Sequence, residues 1–314
     1  MDLSLFFAGT AGSVPTARRG LPAILLRRGG DRILFDCGEG TQRQLVRSIG
    51  LPDVGAVFLT HFHADHWLGL PGMLKSFALR DRERSLTIYG PPGLKDLMGA
   101  LRFVYGRLPY PFAVEELGPG DWVEFDGFEV SAFNVRHRGQ AFGYAIAEDE
   151  RPGRFDADRA LALGIRFGPD FGRLQRGEAV GDVTPDQVVG EPRPGRRLVL
   201  SGDTAPCDAL RDAAAGADVL VHEATFAETE LERARQTGHS TARQAAELAA
   251  EAGVGLLALT HVSTRYMGRE LLDEARAVFP DTELPRDFDA IDVPLAEKGA
   301  PELVRFESGA RTPA

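Results

Sequence analysis

Residues 61–66 read His-Phe-His-Ala-Asp-His, three imidazoles and a carboxylate in six positions, directly after the apolar run Ala56–Thr60. Neutral imidazole nitrogen and carboxylate oxygen are donors that suit zinc, and they suit manganese and iron as well. His61 and His63 stand two residues apart, so an extended segment projects both to one side, while Asp65 and His66 follow where the chain must turn. One strand end can therefore serve two ions. A polar turn would rarely gather four such side chains by chance, and the cluster reads as a metal site. Other donors repeat the pattern: EVSAFNVR runs into His137, RLVLSG into Asp203 and GLLALT into His261. Taken singly, His137 and His261 read as surface or hydrogen-bonded core residues; beside the six-residue cluster they become candidate ligands. His222 precedes Glu223, and strand alternation turns it the other way, toward a structural part. His239, in TGHSTARQ, sits at a helix entry that Ser240 or Thr241 would cap.

Those donors need a scaffold that brings strand ends together. The chain opens with short β-like runs (LSLFF, AILLRR, RILFD), a helix-like TQRQLVRSIG and the strand AVFLT. LPGMLKSFALR and PPGLKDLMGALRF have helical spacing, with Pro92 suited to a first helical turn. Asp126-Gly127 between alternating runs signals a hairpin. From Arg197 onward strands and helices alternate: RLVLSGD, CDALRDAAAG, ADVLVHEA, TARQAAELAAEAG, GLLALTH, GRELLDEARAVF. Between them, residues 151–195 are rich in Gly, Pro and Arg and hold a single short helical pattern, ADRALALG, which reads as an inserted arm. The organisation expected is one domain over 1–314, two β-rich halves interrupted by that arm.

Composition narrows the class. At 314 residues, 43% hydrophobic and 26% charged, the chain is ordinarily globular, and its apolar stretches are too short to span a bilayer. The N-terminus lacks the pattern of a secretory signal, and only Cys37 and Cys207 occur, which places the protein in the cytoplasm and leaves metal binding to nitrogen and oxygen. A net charge of −10 argues on its face against a nucleic-acid partner. Residues 151–197, however, hold nine arginines against seven acids, while the tail 270–314 holds eleven acids against five basic residues and reads as a solubility device.

HFHADH resembles the HxHxDH signature of the metallo-β-lactamase superfamily, and the surrounding text resembles the ribonuclease Z family more narrowly. The matching stretches are FAGTAGSVP, LFDCGEGTQRQL, FLTHFHADHWLGLPGML, LSGDT, VHEATF, GHSTA and LTHVSTRY, in the family's order from about residue 5 to residue 270. The resemblance implies an α/β fold, the αββα sandwich with an inserted exosite arm, and two zinc ions per subunit, with manganese or another divalent ion as the alternative. His61, His63 and His137 would hold the first ion, Asp65, His66 and His261 the second, and Asp203 would bridge them. It also implies a reaction, the removal of the 3′ trailer from precursor tRNA to leave a 3′-hydroxyl. Asp65 would orient or deprotonate the attacking water, and His239, held by Glu223, would protonate the leaving oxygen.

The arm stretch LGIRFGPDFGRLQRG resembles the family's exosite, with Gly168 and Pro169 at the motif and Arg166, Arg173 and Arg176 around it; local arginines would reconcile RNA binding with an acidic average. Arg265 and Tyr266 are candidates for phosphate and base contact. Chain length resembles the short form, which implies a homodimer. PTARRG keeps Pro15 and Arg19 of the family's PxKxRN-like motif but has Ala17 and Gly20 where lysine and asparagine are expected, and the segment after Gly72 is shorter than usual. Competing readings are a general phosphodiesterase or sulfatase-like hydrolase of small substrates, which has no need of the arm, a di-iron redox protein, which would carry a glutamate within the motif, and a catalytically dead RNA-binding module.

Overall fold

The computed structural model describes residues 1–307. Its fifteen strands run in chain order as β1 Leu3–Gly9, β2 Ala23–Arg28, β3 Asp31–Phe35, β4 Ala56–Phe58, β5 Leu86–Gly90, β6 Phe112–Glu116, β7 Trp122–Phe125, β8 Phe128–Asn134, β9 Phe142–Glu148, β10 Arg197–Leu200, β11 Val219–Glu223, β12 Leu256–Thr260, β13 Thr282–Glu283, β14 Ala290–Asp292 and β15 Glu302–Val304. They form two sheets, β15-β14-β1-β2-β3-β4-β5-β6 and β13-β12-β11-β10-β9-β8-β7. The last two strands return to the first sheet, so the sequence halves do not map one to one onto the sheets. Asp126-Gly127 does make the β7–β8 hairpin, with Phe125 opposite Phe128 and Gly127 at φ 76.

Alternation along the strands explains the layers. Residues of one parity, among them Phe35, Phe58, Tyr144, Leu198, Val219 and Val221, fill a core between the sheets. The other parity meets helices: Leu34, Val57 and Ile88 on one side, Val199, Leu220 and Leu257 on the other. Strands buried on both faces read as continuous apolar runs, which is the texture of RLVL and LLAL. Helices cover each outer face, among them Thr41–Ser48, Leu70–Leu79 and Leu94–Tyr105 beside the first sheet and Asp208–Ala214, Ala242–Ala252 and Arg269–Arg276 beside the second. Pro92 falls two residues before Leu94, outside the helix, because Gly93 at φ 98 makes the turn into it.

Strand direction brings the site together. β8 is antiparallel to β9 and β9 to β10, while β10, β11 and β12 are parallel, so β8, β10, β11 and β12 all point their C-terminal ends to the same edge. In the facing sheet β3 and β4 are parallel and deliver Asp36 and His61 together. The Tyr144 hydroxyl donates to the Leu59 carbonyl at 2.7 Å and ties the second sheet to the segment leading into His61.

The arm leaves β9 and returns into β10. At its base Gly153 and Gly190 pass so closely that a Cβ on Gly153 would meet the Gly190 carbonyl at 1.7 Å, so only glycine fits. The arm carries more structure than the single helical pattern suggested: helices Ala157–Ala162 and Pro169–Gln175 close on a small core of Ala160, Phe171, Leu174, Val183 and Val188. Composition hid the second helix because its first turn is Pro169-Asp170, a helix start that reads as loop. The acidic tail also differs from a solubility device. Asp287 accepts from Gly20 N and from the Gln44 and Thr10 side chains, and buried Asp289 accepts from Arg305 and from Arg286 N. These carboxylates fasten the loop that precedes β2 and the final strands.

Candidate metal and active site

Seven of the predicted residues converge at the shared strand edge. Donor atoms of His61, His63, His137 and Asp203 lie within 4.8 Å of one another, as do those of Asp65, His66 and His261. Asp203 Oδ2 stands 3.8 Å from His61 Nε2, 3.4 Å from His66 Nε2 and 3.2 Å from His261 Nε2, a central position between the two groups. Asp65 Oδ2 is 3.6 Å from His66 Nε2 and 3.5 Å from His261 Nε2. His61, His66, Asp203 and His261 are buried, and His63 and His137 lie nearer the mouth.

Hydrogen bonds set which nitrogen each ring offers. Thr60 Oγ1 gives its proton to Asp36, so it accepts from His61 Nδ1 at 3.0 Å. Thr225 Oγ1 gives its proton to Glu223, so it accepts from His261 Nδ1 at 2.9 Å. His66 Nδ1 donates to Asp36 at 2.7 Å and His137 Nδ1 to the Gly238 carbonyl at 2.8 Å. Each Nε2 of His61, His66 and His261 is then left buried with no hydrogen-bond partner. A buried unpaired nitrogen is costly, and three aimed at one carboxylate are the arrangement a cation satisfies. The donor set fits divalent metal. His222, with Nδ1 on the Glu223 carbonyl and a buried Nε2 of its own, packs away from this cluster.

Electrostatics agree with that geometry. Burial disfavours charge on Asp65, yet His261 and His66 hold its carboxyl below the usual range, and Asp203 is held well down by His261 and His66 against the same burial. His61 is pushed well down by burial and by neighbouring His66, whereas Asp203 and Asp36 outweigh burial at His66 and raise it.

His239 stands beside this group, held by Glu223, which Thr225 links to His261. Its Nδ1 meets Glu223 Oε1 at 2.7 Å, and fully buried Glu223 also accepts from Thr204 N at 2.8 Å and Thr225 N at 3.2 Å. Burial works against an imidazolium, but Glu223 outweighs it and lifts His239 to about 9. His239 also lies within ligand spacing of Asp203 and His261. Its Nδ1 is already bound to Glu223, which favours a proton-holding part. The cap of the following helix is Thr241, with Gln244 completing the capping box, so Ser240 is free to donate to the Thr204 carbonyl.

Several supports were not singled out from sequence. Asp36 orients His66, and Thr60 and Thr225 orient His61 and His261. Ser13 N donates to Asp65 Oδ2 at 2.8 Å, and a Cβ on Gly12 would lie 2.5 Å from His261 Nδ1. Ser13, Asp36 and His261 have φ of 61, 57 and 58, and backbone held this way gathers at functional sites. A signal for Asp36 was present, since RILFD is another apolar run ending in a carboxylate. Nothing in the string marks Thr60 or Thr225.

Most of the predicted substrate contacts have bonding partners of their own. Arg265 pairs with Glu230 at 3.0 Å, and the Tyr266 hydroxyl donates to the same carboxylate. In the arm, Arg173 pairs with Asp170 and Glu178 and Arg176 with Glu178, while Gly168 and Pro169 start the second arm helix next to Arg166 and exposed Phe167. Arg19 donates to Thr10 Oγ1 and the Pro285 carbonyl, and Gln44 occupies the space a side chain on Gly20 would enter.

The metallo-beta-lactamase superfamily model matches residues 19–261. Ribonuclease Z of Haloferax volcanii is 46% identical over 307 residues, covering 95% of this chain and 97% of that protein, and ribonuclease Z of Gemmatimonas aurantiaca is 48% identical over 311 residues, covering 95% and 98%. Human tRNase Z, short form, superposes with a TM-score of 0.69 at 28% identity, covering 93% of this chain and 99% of that one. The metallo-beta-lactamase fold protein YhfI of Bacillus subtilis superposes with a TM-score of 0.70 at 18% identity and supports the fold alone. The chain belongs to the ribonuclease Z family of the metallo-beta-lactamase superfamily, and it is an endoribonuclease with a cluster fit for divalent metal.

Proposed function

We propose that this endoribonuclease removes the 3′ trailer of precursor tRNA by hydrolysing the phosphodiester after the mature 3′ end, with two zinc ions held by the two donor groups. The carrying observation is that Asp203 stands between the two donor groups with the His239–Glu223 pair beside them. His61, His63 and His137 would hold one ion, Asp65, His66 and His261 the other, and Asp203 both. When bound, such ions neutralise charge on the phosphate and make water a better nucleophile.

The residues supply the remainder of the reaction. Asp65, oriented by Ser13 N, accepts a proton from the attacking water. A bond forms between the water oxygen and phosphorus as the bond from phosphorus to the ribose 3′ oxygen breaks. His239, protonated and fixed through Nδ1 by Glu223, gives a proton to that leaving oxygen, producing a 3′-hydroxyl on the tRNA and a 5′-phosphate on the trailer. The arm, with Gly168, Pro169 and Arg166 at its second helix, grips the body of the tRNA; Arg173 and Arg176 would exchange Glu178 for phosphate. Arg265 and Tyr266 would do the same from Glu230.

Exposed Leu79, Phe103 and Val104 on two helices that pack together support a homodimer. Among the described residues no helix is long and apolar enough to cross a membrane, and both cysteines are free, which supports the cytoplasm as the compartment. The test incubates the purified protein with a 3′-extended tRNA transcript and maps product ends, beside Asp65→Ala and a deletion of the arm. Cleavage at the tRNA boundary that Asp65→Ala abolishes supports the reading. Hydrolysis of a small diester with the transcript left whole overturns it, and an arm deletion that processes tRNA like the intact chain removes the exosite.

A further inference from the structure

A groove of about 490 Å³ opens beside His137 and His239, lined by Arg136, Arg138 and Arg235. All three arginines are exposed, and among the described residues none has a carboxylate within 4.0 Å. This sets them apart from Arg151, Arg173, Arg176, Arg193 and Arg265, each of which is paired with a glutamate. In a chain of net charge −10, three unpaired guanidinium groups around one groove at the reaction centre make a local positive field. Such a field attracts phosphate.

The arginines are placed by contacts that also place the site. Arg136 and Arg138 flank His137, and the Arg136 backbone is bonded to Thr204 and Ala205, next to Asp203. Arg138 donates to the Gln236 carbonyl at 2.8 Å, two residues before the Gly238 carbonyl that accepts from His137. Arg235 comes from the helix Leu231–Thr237 that leads into His239. A backbone held in this groove would run beside His239, which in the reading above protonates the leaving oxygen. That oxygen belongs to the strand ending in the new 3′-hydroxyl.

We propose that Arg136, Arg138 and Arg235 clamp the backbone phosphates of the last nucleotides of the mature RNA, immediately upstream of the bond that is cut. The inference rests on the reading above that His239 protonates the leaving 3′ oxygen. It gives the enzyme a hold on the cleavage end of its substrate separate from the distant arm, and it binds backbone without reading sequence.

Steady-state cleavage of a 3′-extended precursor tRNA tests it with Arg138→Gln/Arg235→Gln and Arg138→Lys/Arg235→Lys. The glutamine pair should raise KM about tenfold with kcat within about twofold, and reduce the salt dependence of kcat/KM by about one phosphate contact per arginine; the lysine pair should recover most of the loss. A single uncharged methylphosphonate linkage locates the strand. Placed just upstream of the cut, it should slow the wild type but add little to the glutamine pair, whereas placed downstream its cost should add to that of the substitutions. Unchanged KM and salt slope, no recovery by lysine, or coupling to the downstream linkage would each overturn the clamp while boundary cleavage by the wild type stands. A wild type that leaves the precursor whole overturns the cleavage reading and the clamp together.

Discussion

At the scale of single residues, the ring nitrogens around Asp203 are directed by side chains that hydrogen-bond the Nδ1 edge of each ring. Thr60, Asp36 and Thr225 each take up one Nδ1, and the opposite Nε2 is thereby left to face the cluster. Gly12 belongs with them. A methyl group there would press on the His261 ring and strain its bond to Thr225, so Gly12→Ala should weaken metal retention roughly ten- to hundredfold, measured by competition with a chromogenic chelator. The His239–Glu223 pair predicts a different pattern. His239→Ala and Glu223→Gln should each lower kcat on precursor tRNA by about two to four orders of magnitude, and the double variant should fall little further, because the two residues act as a unit. Additive losses in the double variant would separate their roles.

At the scale of elements, a buried ionic cluster joins the two sheets. Glu148 at the end of β9 accepts from Arg28 at 2.7 Å on the first sheet and from Arg196 at 2.6 Å beside β10, and its side chain is 6% exposed. Burial works against its charge, but Arg196 and Arg28 outweigh it and lower the carboxyl to about 2 from an ordinary 4.5. A carboxyl with a depressed folded-state pKa contributes stability above its unfolded value, and that contribution is lost as pH falls through the folded one. Glu148→Gln should therefore cost on the order of 2 kcal/mol at neutral pH, with the difference from wild type shrinking between pH 4.5 and about 2, followed by denaturant melts across that range. A difference that stays constant over that interval would remove the ionic explanation.

At the scale of the whole molecule, the exposed apolar residues of the helices Leu70–Leu79 and Leu94–Tyr105 predict association. Phe103 is 89% exposed and Leu79 80% exposed, so sedimentation should show a dimer and Phe103→Asp should shift it to monomer. If Phe103→Asp sediments like the wild type, this face is not the interface. Charge is also organised at this scale. The average is acidic, while three unpaired arginines line one groove at the site and Arg151, Arg173, Arg176 and Arg193 of the arm are held in ion pairs, so a whole-chain sum conceals where phosphate can be met.

Much of this was legible in the string. Strands buried on both faces require apolar runs, so the strand-end positions of His61, His137, Asp203 and His261 could be marked from their neighbours, while His137 and His261 became candidate ligands only beside the six-residue cluster. The local pattern carried the hairpin at Asp126-Gly127 and the capped helix after Thr241 for the same reason, since both depend on residues within a few positions. What depended on distant partners was hidden. Thr60 and Thr225 are ordinary threonines until Asp36 and Glu223 take their protons, the tail aspartates look like solvent-facing charge until Gly20, Gln44 and Arg305 reach them, and Arg136, Arg138 and Arg235 look no different from ion-paired arginines. The residue types and their spacing determined which chemistry was possible. Only the packing of two sheets with their strand ends at one edge decided which nitrogens stay bare, which charges stay unpaired and where a substrate can meet them, because those properties belong to contacts between segments far apart in the chain.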